Sequence, residues 1–156
     1  MNGKRTVGAA AGALVAGLGL TAMMMAQEKK TRKASELTDL GRASAHRLGV
    51  RHAPTGERPP ETQEQAVVQS GHLLLSALAG LAYAAATDED AGVVSSGIAF
   101  GLAFYGLAHW LTGPLLGVKQ PEWRSDAGTI GMHAVNHLVF GLATAAGAKL
   151  ASEAKA

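Results

Sequence analysis

Four histidines lie within long stretches of this chain that carry no Asp, Glu, Lys or Arg. They are His72, His109, His133 and His137. Ionisable side chains are costly inside a bilayer and usually face the interior of a helical bundle. Imidazole can ligate a metal ion, exchange a proton at about pH 6.5 or form hydrogen bonds. The histidines are therefore the residues best suited to carry chemistry.

The spacing of the histidines predicts that they lie together. His133 and His137 are four residues apart, so they share one helix face and can bind one ion. Counted at about 1.5 Å per helical residue, all four histidines lie roughly 6 to 14 Å from the same membrane edge. We therefore expect them in one leaflet, with His109 or His72 as the third ligand of any ion.

Three interpretations of this cluster stay open. The imidazoles hydrogen-bond across helices and stabilise the bundle; or they form a metal or proton site; or two of them hold a haem. Other polar side chains at helical spacing extend the cluster into a polar seam, namely Gln69, Ser76, Tyr83, Tyr105 and Asn136.

The elements that carry these residues are predicted to be transmembrane helices. Uncharged stretches run over 6–27, 66–87, 91–118 and 127–148. A spanning helix needs about 20 mostly apolar residues, and in lipid only a helix satisfies its own backbone over that length. We expect an all-α, polytopic membrane protein with four transmembrane helices in a small bundle. A soluble four-helix bundle would need charged outer faces, which these stretches lack.

The chain divides into a first transmembrane helix (1–27), a basic connection (28–65), a three-helix membrane domain (66–151) and a tail (152–156). The first stretch is not interpreted as a cleaved signal peptide, because Met24 stands where a cleavage site needs a small residue.

The distribution of Lys and Arg predicts the orientation. The 28–65 connection holds eight and the 119–126 connection two, against four on the opposite side. The positive-inside rule makes 28–65 cytoplasmic and places both termini outside a bacterial inner membrane. Lys4 and Arg5 oppose this orientation for the first helix alone.

The basic connection is expected at the membrane surface. Its 29–33 segment, Lys29-Lys30-Thr31-Arg32-Lys33, suits anionic lipids. Ser35 can cap a short interfacial helix that carries Leu37 and Leu40; the alternative is a solvated linker. His46 and His52 are expected to be solvated.

Small residues at four-residue spacing predict close helix packing. The pairs are Gly8 with Gly12 and Gly97 with Gly101. A homodimer through one of these faces is compatible with the pattern but not required by it, and a homo-oligomer or a larger membrane complex is a possible partner state. Gly113-Pro114 is expected to end or turn the third helix.

The order of several elements after residue 66 resembles the YagU-like bacterial inner-membrane proteins, a family without an established activity. The matching elements are His72 with Ser76 and Tyr83, Gly97-x-x-x-Gly101, His109-x-x-x-x-Pro114-x-x-Gly117, Pro121 and His137-Leu138-Val139. His133 departs from the pattern, in which an acidic residue can stand one turn before the last histidine. The resemblance implies an integral membrane protein and lends weight to His72, His109 and His137. It implies no reaction.

Several functions are disfavoured. The chain has no Cys, which excludes disulfides and thiolate sites, and its net charge of +2 without a basic helix gives no sign of nucleic-acid binding. No catalytic motif is present, and Glu122 and Asp126 are interpreted as an interfacial loop around Trp123. We expect a non-enzymatic protein with a structural or accessory role in a membrane assembly or a stress response. The alternative is a metal-, haem- or proton-handling membrane protein.

Overall fold

A computed structural model describes residues 2–50, 54 and 56–154. Over these ranges the chain is all-helical, as expected, and has no strand. The α-helices are α1 (Gly3–Thr31), α2 (Glu36–Arg47), α3 (Thr62–Ala86), α4 (Val93–Tyr105), α5 (Gly113–Leu115) and α6 (Ala127–Glu153). A π-helical segment, Gly106–Thr112, joins α4 to α5, and a 3-10 turn, Glu122–Arg124, precedes α6. His52, which was expected to be solvated, lies outside the described residues. So do Arg51 and Lys155, which were counted among the basic residues that predict the orientation.

Three helical stretches are long and apolar enough to cross a membrane, by length and composition. They are α1, α3 and the continuous stretch Val93–Leu115. Helix α6 is also long, with 27 residues, but it carries His133, Asn136 and His137, which lower its hydropathy. Large apolar side chains such as Val15, Leu74 and Leu102 are exposed on the outer surfaces of the three stretches, as lipid-facing side chains are.

The helices pack as a row in the order α3, α1, α6, α4. Gly8 and Gly12 of α1 face the backbone of α6 at Gly147 and Ala143, so closely that a Cβ at either glycine would overlap it. Small residues permit this approach of two helix backbones.

The second glycine pair is used in the same way. Gly97 and Gly101 of α4 face the backbone of α6 at Gly141 and His137. Both predicted pairs therefore pack within one chain. Helix α6 thus covers both glycine faces, and the homo-oligomer or larger membrane complex stays a prediction.

The predicted end of the first helix was wrong. Helix α1 continues past residue 27 to Thr31, so Lys29 and Lys30 lie in its last turn, where the helix dipole favours cations. The predicted end of the third helix at Gly113-Pro114 was close, because the helical stretch that begins at Val93 ends at Leu115. Gly117 then adopts a φ of 62°.

Helix α2 is anchored to the bundle rather than solvated. The Ser35 hydroxyl accepts a hydrogen bond from the Thr38 N–H at 3.3 Å, as an N-cap does. The Thr38 hydroxyl donates to Glu28 at the end of α1 at 2.7 Å. The Arg42 Nε donates to Glu64 Oε1 in α3 at 2.5 Å. These contacts fix α2 against the ends of α1 and α3.

The opposite end of the bundle is closed by Arg5. Its guanidinium donates to the carbonyl of Ala84 at 2.9 Å and to the hydroxyl of Thr87 at 2.5 Å. The cation thus caps the carboxyl end of α3, where free carbonyl groups attract positive charge. Lys4 Nζ donates to the carbonyl of Ala154 at 3.1 Å, so the start of α1 and the end of α6 lie side by side.

Candidate functional site: a buried ion cluster beside an apolar cavity

Three of the four predicted histidines lie in contact with one another. The ring centroids of His109 and His133 are 4.4 Å apart, and those of His109 and His137 are 5.0 Å apart. The ring of Tyr105, a member of the predicted polar seam, contacts those of His109 and His137 at centroid distances of 5.3 and 5.4 Å, tilted against both. The π-helical segment and α6 therefore bring these side chains to one end of the bundle.

A buried carboxylate lies at the centre of this group. The side chain of Glu122 is fully buried. Its Oε1 lies 2.6 Å from His133 Nδ1 and accepts a hydrogen bond from the Tyr105 hydroxyl at 3.0 Å, and its Oε2 accepts one from Lys119 Nζ at 2.7 Å. Glu122 lies in the connection before α6 next to the exposed Trp123, as expected, but its acid turns inward and pairs with Lys119 and His133, which the sequence analysis did not foresee.

A second carboxylate reaches the same group from α2. Glu36 Oε2 lies 2.8 Å from His133 Nε2, and Glu36 Oε1 forms an ion pair with Lys119. Lys119 Nζ also lies 2.5 Å from His109 Nδ1. We call these five residues, Glu36, His109, Lys119, Glu122 and His133, the ion cluster.

Both carboxylates of the ion cluster are ionised. Burial alone would raise the pKa of Glu36, but hydrogen bonds from His133 and Lys119 outweigh it and lower the pKa to about 2. Burial likewise opposes ionisation of Glu122, and hydrogen bonds from Lys119 and His133 lower its pKa to about 2.

Hydrogen bonding then fixes the protons on the two imidazoles. An ionised carboxylate can only accept, so His133, with a carboxylate at each ring nitrogen, donates from both and is an imidazolium. The Lys119 ammonium can only donate, so His109 accepts through Nδ1 and its own proton is on Nε2. The ion cluster thus holds two anions and two cations, and its charge is balanced.

The ion cluster also contains a potential metal site. Ligand atoms of Glu36, His109 and His133 all lie within 4.8 Å of one another. Glu122, hydrogen-bonded to His133 Nδ1, would orient that ring as a carboxylate beside a metal-binding histidine does. The Lys119 ammonium, however, lies among the same side chains, so a metal ion would have to displace it and remove a proton from His133.

The metal-site residues differ from those predicted. His137 and His72 are not part of the triad. His137 Nδ1 lies 2.9 Å from the carbonyl of His133, and His72 Nδ1 lies 3.1 Å from the Thr21 hydroxyl. A haem between two of the contacting rings of His109, His133 and His137 has no slot, since those rings touch and leave no gap for a porphyrin.

An apolar cavity of about 240 Å³ adjoins the ion cluster. All four long helices of the row and α2 line it. Half of its lining residues are Leu, Met or Phe, and its polar lining includes His72, Asn136 and His137 together with Glu36, His109 and His133 of the ion cluster. Through the last three residues the cavity is continuous with the ion cluster.

The remaining members of the predicted polar seam lie at two levels of the bundle. Gln69 accepts from the Thr21 hydroxyl at 2.9 Å, and Ser76 donates to the carbonyl of His72 at 2.9 Å. Tyr83, in contrast, pairs with Ser96 at 2.7 Å near the far end. The seam therefore does not form one continuous site.

Sequence reasoning missed Glu36, Lys119 and Glu122. One signal could have indicated them: intramembrane imidazoles are seldom left without a counter-charge, and Lys119 and Glu122 stand three residues apart beside the histidine helices. Comparison of the chain with known protein families, curated proteins and solved structures finds no match.

Proposed function

We propose that the chain is a small multi-pass protein of the bacterial inner membrane that crosses it four times and has a structural or accessory role in a membrane assembly or a stress response. The distribution of Lys and Arg supports a cytoplasmic position for the 28–65 connection, which contains α2, and for the 119–126 connection. The YagU-like resemblance supports the same assignment. Anionic lipids near 29–33 are the partner that this position favours.

The fourth crossing is supported by the packing of α6. Helix α6 runs antiparallel beside α1, with Gly147 against Gly8 and Ala143 against Gly12. A helix that accompanies α1 over its length crosses the same thickness. The polar residues that reduce the hydropathy of α6 point inward, since His133 is buried and His137 is half-buried.

The role we assign to the ion cluster is to clamp α2 onto the membrane helices. The observation that carries this proposal is the position of Lys119, whose ammonium binds Glu36 of α2, Glu122 and His109 at once. One cation thus joins three parts of the chain. Because the cluster is already neutral, it needs no further ion to be stable.

A second candidate is a metal-handling protein. It is favoured by the triad Glu36, His109 and His133, with one carboxylate and two imidazoles that suit Zn²⁺. In this alternative Lys119 is a competing cation that leaves when the metal binds. Metal binding should then weaken as the pH drops, because its ligands must lose protons.

The clamp is tested with a cysteine reporter, since the natural chain has no Cys. Leu40→Cys places a thiol on the side of α2 that lines the cavity. If Lys119 holds α2 in place, Lys119→Met should increase the rate of maleimide labelling at residue 40 at least severalfold. Lys149→Met, which removes an exposed pair with Glu153, is the matched control and should leave the rate unchanged.

The same preparations separate the two candidates. The protein is incubated with ZnCl₂, desalted and analysed for metal. If Lys119 acts as a clamp, the protein should retain less than one zinc per chain, and residue 40 should be labelled faster in the Lys119→Met variant. One retained zinc per chain that is lost in His133→Ala would favour the metal-handling protein, and unchanged labelling in Lys119→Met would overturn the clamp.

A further inference from the structure

The apolar cavity lies where α3 and α4, which follow each other along the chain, move apart. Helices α3 and α4 meet near their connecting loop, where the rings of Tyr83 and Phe100 are 5.2 Å apart. At the other ends of these helices the cavity lies between them. It is lined by His72 and Leu75 on the side of α3 and by Phe104 and His109 on the side of α4. The half-exposed Leu75 and Met23 border it, so in the proposed topology its opening faces lipid.

His137 presents an unshared electron pair at this cavity. Its Nδ1 lies 2.9 Å from the carbonyl of His133, which can only accept, so the proton is on Nδ1. The neutral ring then carries a lone pair on Nε2. This nitrogen forms no hydrogen bond with any residue that the structure describes.

His72 presents the same chemistry from the opposite wall. The Thr21 hydroxyl donates its only proton to Gln69, so it accepts from His72 Nδ1. The Nε2 of His72 is consequently a second acceptor, and it too has no partner among the described residues. Both nitrogens can therefore accept a hydrogen bond from a group that enters the cavity.

The size and lining of the cavity limit what can supply those donors. An apolar cavity of about 150 Å³ accepts benzene, so about 240 Å³ admits one substituted aromatic ring. The aromatic walls, Phe104 and Phe140 with ring centroids 5.6 Å apart, suit ring stacking. The ligand should therefore combine an apolar ring with hydroxyl groups.

We propose that the cavity binds the ring of a lipid-soluble aromatic alcohol of the quinol type. One hydroxyl donates to Nε2 of His137 and the other to Nε2 of His72, while an alkyl tail leaves through the opening between α3 and α4. The cavity shares Glu36, His109 and His133 with the ion cluster, but the proposed hydrogen bonds use His137 and His72, which take no part in the clamp. The proposal concerns binding alone and assigns no electron transfer.

The test uses the full-length protein in lipid nanodiscs under argon. The probes are a decyl-substituted hydroquinone and its dimethyl ether, which has the same ring and tail but no hydroxyl donor. Binding is measured by calorimetry against empty nanodiscs. The hydroquinone should bind at least tenfold more tightly than the ether, since each lost hydrogen bond costs up to about tenfold in affinity.

A variant then locates the site. His137→Phe keeps an aromatic ring and removes the acceptor, so it should weaken hydroquinone binding by about tenfold and leave the ether unaffected. His46→Phe, at an exposed position of α2, is the matched control. Equal binding of the two probes, as expected for a cavity that holds only acyl chains, would overturn the proposal. So would absence of binding, or selective binding that survives His137→Phe.

Discussion

At the scale of single residues, the fully buried Glu122 controls the ion cluster. Replacing it by Gln keeps the shape but leaves Lys119 and His133 without one of their anions. Removal of one partner from a buried ion pair costs about 3–5 kcal/mol. We expect Glu122→Gln to lower the free energy of unfolding in detergent by about 3 kcal/mol or more, measured by denaturant titration.

The control for this change is Glu89→Gln. Glu89 is exposed in the loop between α3 and α4, and its loss should change the free energy of unfolding by less than about 0.5 kcal/mol. Equal effects of the two substitutions would show that Glu122 is not the centre of an energetically coupled cluster.

The ionisation of the cluster also predicts a pH dependence. The pKa of Glu36 and of Glu122 falls from 4.5 to about 2 in the folded protein. A lowered folded-state pKa contributes stability that is complete above about pH 4.5 and is lost as the pH falls toward 2. The melting temperature of the natural protein should therefore decrease over that window.

The double variant Glu36→Gln/Glu122→Gln lacks both titrating groups. Its melting temperature should be lower at pH 7, and it should change less between pH 4.5 and 2 than that of the natural protein. If the two proteins lose stability in parallel on acidification, the carboxylates of the cluster are not the groups responsible.

What the sequence predicted at this scale was the histidines and not their partners. Helical periodicity is a local property of the sequence. The spacing of His133 and His137, and the depth of His109 in its helix, could therefore predict that these side chains lie together. Glu36 and Lys119 lie in connections, and their approach depends on how α2 and the loop before α6 fold back. No local pattern encodes that approach.

At the scale of elements, the long helices were predictable and one helical irregularity was not. Uncharged runs of about 20 residues indicate spanning helices from composition alone. The π-helical segment Gly106–Thr112 changes the hydrogen bonding from i→i+4 to i→i+5, so the face of His109 cannot be read from four-residue spacing. The orientation of His109 depends instead on packing with α6 and on the hydrogen bond that it accepts from Lys119.

The close contact of α4 with α6 predicts the effect of a larger side chain. A Cβ at Gly101 would overlap the backbone at His137. Gly101→Leu should therefore separate the helices and reduce the free energy of unfolding by about 1–3 kcal/mol, as overpacking does. Thermal melting in detergent measures the change.

Gly71→Leu offers a matched comparison, because a Cβ at Gly71 meets no atom within 4 Å. This variant should be at least as stable as the natural protein, since leucine favours the helix over glycine. A Gly101→Leu variant with an unchanged melting temperature would mean that α4 does not pack closely on α6.

At the scale of the whole molecule, the prediction concerns topology. Single cysteines at Leu48, Glu89 and Ala154 report on the first connection, the loop between α3 and α4, and the end of α6. With four crossings, Glu89→Cys and Ala154→Cys should react with an impermeant maleimide from outside intact cells, and Leu48→Cys only after lysis. If Ala154→Cys reacted only after lysis, as Leu48→Cys should, the chain would cross the membrane three times and not four.

The contact between α1 and α6 has a consequence for how the protein is made. Helix α1 is synthesised before α6, yet the glycine face of α1 packs on α6. During translation, that face and the residues that α6 will cover have no partner in the chain. The contacts of α1 and α4 with α6 therefore form only when α6 arrives, and a chain shortened before residue 127 leaves the glycine face of α1 uncovered although α1 still packs on α3.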